Sequence, residues 1–166
     1  MVLTKAELIA SLQNEIRILL HLAGKVDRAR LDYRPTDKQR STIELLRYLS
    51  IMGPNLVQAA KAGGFDPAAW QSSLAAAEAR DFDLTLDAIR KIPDVYASVL
   101  GSMSDADFRQ DLEIFGRKMS KGSFLVNTVL CGYAAYRTQL FNYLKACGRV
   151  ELNTMNLWGG VDAPAA

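Results

Sequence analysis

The sequence predicts an all-α protein, an antiparallel four-helix bundle with an extra short helix and an irregular C-terminal tail. Three observations lead there. Two capping boxes each open a long amphipathic stretch, apolar residues recur at steps of three and four through most of the chain, and Gly and Pro punctuate the stretches where helices should stop. The 166 residues are expected to form a single domain, 1–166, because a chain of this length buries a substantial core without disulfides or a structural metal.

The first helix begins at Thr4, which with Glu7 forms a T-x-x-E box that satisfies two orphan backbone N–H groups. Leu8, Leu12, Ile16, Leu19 and Ala23 then form one apolar stripe, and the helix breaks near Gly24. Arg34-Pro35 marks a loop, since the residue before proline avoids helical geometry. Ser41 and Glu44 repeat the box and open a second helix, with Leu45, Tyr48, Leu49, Met52 and Leu56 facing inward. Gly53-Pro54 should kink it, because proline removes an internal hydrogen bond, and Gly63-Gly64 ends it.

Asp66-Pro67 restarts the chain as N-cap and first helical residue, leading an alanine-rich helix to about Ala79. A longer helix is expected from about Asp83 to Met103, kinked at Pro93. Ser104 to Ser120 reads as a connection with some extended structure. The last helix, from Ser120 to Cys147, is expected to share Leu125, Val129, Gly132, Tyr136, Leu140 and Leu144 along one face. Beyond Gly148, the tail Asn153 to Ala166 carries Met155, Leu157 and Trp158, apolar groups costly to leave in water. It should fold back onto the bundle or onto a partner chain.

Composition excludes several classes. With 49% hydrophobic and 23% charged residues this is a folded rather than a disordered chain. A net charge of +2 gives no case for nucleic acid, and the basic residues from Lys25 to Arg40 are interleaved with Asp27, Asp32 and Asp37. No stretch approaches the ~18 apolar residues needed to span a bilayer, so no membrane partner is expected. The start, Met1 to Glu7, lacks the basic and apolar blocks of a secretory signal, and the expectation is cytoplasmic residence. Cys131 and Cys147, sixteen positions apart on one helix, would lie roughly 24 Å apart and should be free thiols.

Several local patterns occur together in order. Tyr33-Arg34-Pro35 precedes Ser41-Thr42-Ile43-Glu44-Leu45-Leu46, Phe115-Gly116 precedes the last helix, and that helix carries Arg137-Thr138-Gln139-Leu140 and Tyr143-Leu144 before Gly148. In these the chain resembles the DinB/YfiT-like superfamily, four-helix bundles described as metalloenzymes. The resemblance implies a homodimer and a divalent cation held by one His on the second helix and two, four apart, on the last. Aligning the shared segments puts those positions at Tyr48, Gly132 and Tyr136, and a shift of one residue uses Tyr133 instead.

None of these is His, and the chain's only His is His21. Imidazole binds zinc or nickel near neutral pH, whereas a phenol of pKa about 10 must first lose its proton. The expectation is therefore a divergent relative with no metal and no cofactor that binds a small molecule or a partner, and whose pocket, if kept, is lined by Tyr48, Tyr133, Tyr136 and Arg137. The alternatives are that the tyrosine rings plug the lost site, or that a thiol-dependent transferase or hydrolase is rebuilt from these groups with Cys131. Arg137 is expected to pair with Glu44, an acidic ligand or another helix. His21 lies on a polar face with Asn14, Arg17 and Lys25, and Cys131 reads as a buried structural thiol.

Overall fold

The structure, a computed structural model, describes residues 3–164. Met1 and Val2, and the last two residues of the expected tail, Ala165 and Ala166, lie outside the described residues. Both capping boxes form as their sequence demands: Thr4 caps α1 (Lys5–Ala23), Ser41 caps α2 (Thr42–Ala62), and in each the Glu three residues on reaches back to the cap's N–H. Asp66 caps the short α3 (Pro67–Glu78), accepting from Ala68 and Ala69 N–H.

The expected helix from Asp83 to Met103 is two helices, α4 (Phe82–Arg90) and α5 (Ile92–Gly101). The chain turns at Lys91, whose N–H bonds back only three residues to Ala88, and Pro93 sits in the first turn of α5, where its missing N–H costs nothing. The Pro93 kink is thus a full break. The segment after α5 forms a hairpin of β1 (Asp111–Ile114) and β2 (Arg117–Ser120), pairing Ile114 with Arg117 next to the turn. Leu112 and Ile114 point into the core, which holds the hairpin against the bundle.

Ser120 caps the last helical rod, built from α6 (Lys121–Phe124), a π-helical segment Leu125–Leu130 and α7 (Cys131–Ala146). The wider π turn corrects the expected inward face. The buried line runs through Leu125, Val129, Tyr133, Arg137, Leu140 and Leu144, while Gly132 and Tyr136 are only half-buried beside it. A constant α-helical spacing cannot be carried across a turn that takes in an extra residue.

The helices form an all-α four-helix bundle in which α1 and α2 each pack against both α5 and α7. Their directions follow from contacts at the ends. Lys5 reaches the Met103 carbonyl at the far end of α5, so α1 and α5 are antiparallel. Tyr143 at the end of α7 donates to Arg40 just before α2, and Lys121 at the start of the rod donates to Lys61 at the end of α2, so these two are antiparallel as well. The core residues of α1 and α2 foreseen from spacing, Leu8, Leu12, Ile16, Leu19, Leu45, Leu49, Met52 and Leu56, are buried. No helix among the described residues is long and apolar enough to cross a membrane.

The tail folds back along α1, but by polar contacts more than apolar ones. Arg17 donates to the Gly159 and Gly160 carbonyls, and Asn156 is buried between His21 and Asp162. His21 therefore lies at an internal seam. Leu152 is buried, whereas Met155 and Trp158 face outward, the latter 68% exposed.

Candidate functional site

Between α2, α3, the hairpin tip and the rod lies a cavity of about 570 Å³. From α2 come Tyr48, Met52 and Leu56, one turn apart on the inward stripe. The segment into α3 adds Phe65 and Trp70, the hairpin adds Phe115 and Arg117, the π segment adds Asn127 and Thr128, and α7 adds Gly132 and Tyr136. The rings meet edge to face: Tyr48 and Tyr136 at 5.3 Å between centroids, Tyr48 and Trp70 at 6.0 Å. Gly132 leaves the floor open. A Cβ there would meet only the flexible Met52 side chain, at 3.4 Å.

Tyr48 and Tyr136 thus share the cavity with Gly132, which are the three positions that the resemblance singles out. Tyr133 and Arg137 are placed elsewhere. Tyr133 is 1% exposed and its hydroxyl is bonded to the backbone of α2. The Gly53 N–H donates to it (3.2 Å) and it donates to the Leu49 carbonyl (2.7 Å), so one hydroxyl holds both members of a donor–acceptor pair four residues apart on α2. This happens just before Pro54. Gly53 must be glycine for it: a Cβ would come within 2.0 Å of the Tyr96 hydroxyl and 2.7 Å of that of Tyr133. Burial raises the pKa of Tyr96 and Tyr133 well above that of a free phenol.

Arg137 does not reach Glu44, which pairs instead with Arg34 at 3.2 Å. Its Nε donates to Glu15 Oε2 at 2.5 Å, both side chains nearly fully buried, and Nη1 donates to the Leu157 carbonyl. With its guanidinium also 5.6 Å from the Trp158 ring, Arg137 clamps the tail onto α1 and α7. Cys131, expected to be buried, is exposed and does not line the cavity, because the π turn swings it outward.

The side chains at the three implied positions do not fit a divalent cation. Burial, reinforced by the neighbouring Tyr136 phenol, pushes the Tyr48 pKa up to about 12, so it stays protonated at neutral pH. Gly132 has no side-chain donor, and the single Met52 thioether beside it does not make up a ligand set. Among the described residues no three His, Cys, Asp or Glu side chains gather where they would hold a metal.

Phe65, Trp70, Phe115, Arg117, Asn127 and Thr128 escaped the sequence reading as site residues. Trp70 had a signal, as the lone aromatic of an alanine-rich helix. The others come from a loop, a turn and a π segment whose placement depends on tertiary contacts.

No protein-family model and no curated protein matches the sequence. Among solved structures, the chain is similar to the crystal structure of a DinB-like protein, YjoA, from Bacillus subtilis, with a TM-score of 0.68. The match covers 88% of this chain and 94% of that one at 16% identity. A TM-score of this size over nearly the whole of both chains leaves the conclusion plain: this chain has the DinB-like fold.

Proposed function

We propose that the protein is a DinB-like bundle that has given up the divalent cation of its metal-binding relatives and uses the vacated space as a small-molecule binding cavity. One observation carries the reading. Tyr48, Gly132 and Tyr136 converge on a cavity of about 570 Å³ instead of packing it shut, and such a volume lies within the usual range for ligand pockets. The strained φ of 52° at Phe115 and the π turn at Leu125–Leu130 both border it, and local irregularities of these kinds gather at functional sites.

Binding is favoured over catalysis by the lining, which offers no carboxylate, imidazole or thiol as a base near neutral pH. Of the groups from which a transferase or hydrolase would be rebuilt, Tyr48 and Tyr136 line the cavity, whereas Tyr133 and Arg137 are engaged with Leu49, Gly53 and Glu15 and Cys131 lies outside it. Homodimerisation in the cytoplasm remains part of the proposal, with the outward Met155 and Trp158 as the contact.

A thermal-shift screen of small aromatic and aliphatic compounds of every charge, run with a chelator present, tests the reading. Compounds that raise the melting temperature should lose their effect in Gly132→Leu, whose side chain would occupy the floor. A shift that survives this substitution, or that appears only when metal is supplied, contradicts it.

A further inference from the structure

The cavity is apolar on its walls and cationic at its rim. Besides the Tyr48, Trp70 and Tyr136 rings, Phe65 stands 5.1 Å from Phe115 and closes the hairpin side. Arg117 is the one lining residue charged at neutral pH. Among the described residues no carboxylate pairs with it, while Lys118 beside it takes Asp111 at 2.9 Å. A second cation, Arg40, stands 4.0 Å over the Tyr48 ring, at the outer side of the wall that Tyr48 and Trp70 make.

An aromatic box can hold an ammonium group against its ring faces. Here that attraction would be opposed by Arg117 and unsupported by any acid among the cavity's own lining residues. A flat apolar molecule carrying one negative group suits the lining better: its body lies among the rings, and its anion meets a planar guanidinium whose fork matches a carboxylate. Asn127 and Thr128 add neutral polar groups on the π segment.

The hairpin tip gives a second, independent indication. Phe115 and Gly116 form a two-residue turn with φ of 52° and 70°. Asn-Gly is the favoured pair for such a turn, and a bulky aromatic in the left-handed region is an outlier. Nor does core burial account for Phe115, whose side of the hairpin leaves it 59% exposed. Its ring lines the cavity between Phe65 and Phe124, with Arg117 two residues on.

We propose that this cavity binds an amphipathic monoanion, an aromatic carboxylate in chemical class, with its ring system among Tyr48, Trp70, Phe115 and Tyr136 and its carboxylate on Arg117. The proposal rests on the small-molecule reading above.

Three probes with one ring system and three charges, naphthoate, naphthamide and naphthylmethylammonium, titrated by calorimetry into the full chain, test it. Naphthoate should bind about tenfold more tightly than the other two, the scale of one charge-assisted hydrogen-bonded pair. Arg117→Gln should reduce naphthoate to the level of naphthamide and leave naphthamide unchanged, and Arg117→Lys should restore part of the difference. Phe115→Asn should raise the melting temperature of the free protein while weakening naphthoate.

Equal affinity for the three probes, or naphthoate binding indifferent to Arg117→Gln, overturns the anion preference and leaves the small-molecule reading standing. Preference for the ammonium overturns it in favour of a cation box. Failure of all three to bind overturns it too, and the charge-unbiased screen then decides separately whether the cavity binds anything.

Discussion

Tyr133 and Tyr136 stand one turn apart on α7 and serve opposite ends. Tyr133 faces the core, where its hydroxyl both accepts from and donates to the α2 backbone. Tyr136 faces a cavity, its ring against Tyr48 and its neighbour a glycine. Arg137 belongs with Tyr133, closed off by Glu15 and the tail. A helix that once would have been read as one functional face thus has a structural line and an open line side by side, and the π turn ahead of it decides which residue falls on which.

If the division is right, substitutions on the core line should cost stability and those on the cavity line should not. The largest effect is expected at Arg137. Arg137→Met leaves Glu15 buried without its partner and should cost about 3–5 kcal/mol in urea unfolding, while Glu15→Leu combined with Arg137→Met should recover most of that. A single-variant cost below about 1 kcal/mol, within the range of an exposed pair, would place the pair on the surface rather than in the core.

Tyr133→Phe comes next. Removing the bridging hydroxyl leaves a buried N–H and a buried carbonyl short of a partner, and about 1–3 kcal/mol should be lost. Unchanged stability would show that the Gly53 N–H and Leu49 carbonyl are satisfied without the Tyr133 hydroxyl.

Alkaline pH should separate the two kinds of tyrosine as well. The pKa of Tyr48 is pushed up to about 12, and those of Tyr96 and Tyr133 are raised by burial, above the value of about 10 for an unfolded phenol. The folded state therefore holds these protons more tightly. The stability they contribute is full below pH about 10 and is lost as pH climbs through the folded values. Urea midpoints measured across that range should fall, and Tyr133→Phe should flatten the fall more than Tyr48→Phe does, since Tyr48 is only half-buried.

The smallest effect is expected at Tyr136→Phe, within about 0.5 kcal/mol of the native protein by the same unfolding measurement. A larger loss would mean that its hydroxyl is part of the core's hydrogen bonding.

Much of the fold was legible because its signals are local. Thr4 with Glu7, Ser41 with Glu44 and Asp66 with Pro67 start helices by side-chain chemistry within one turn, and each starts where expected. Pro93 announced a disturbance, although whether proline kinks a helix or ends it depends on the packing around Lys91. The π turn at Leu125–Leu130 left no such mark. Its residues read as an ordinary helix, and so Gly132 and Tyr136 were placed on the buried line that Tyr133 and Arg137 occupy. Arg137 could not be matched to Glu15 from sequence either, since the two are joined only by the packing of α1 on α7. The candidate site was half legible: the resemblance pointed to Tyr48, Gly132 and Tyr136, while Trp70, Phe115 and Arg117 reach the cavity from separate elements.

The central claim is that these three positions define a cavity without a metal. Zinc and nickel titrations by calorimetry, on the native chain and on one carrying Tyr48→His, Gly132→His and Tyr136→His, test it most directly. The native protein should bind neither metal stoichiometrically, and the triple variant should take one cation per chain, since Met52 has room to yield to the new side chain. One tightly bound cation on the native chain, lost in Tyr48→Phe, would contradict it.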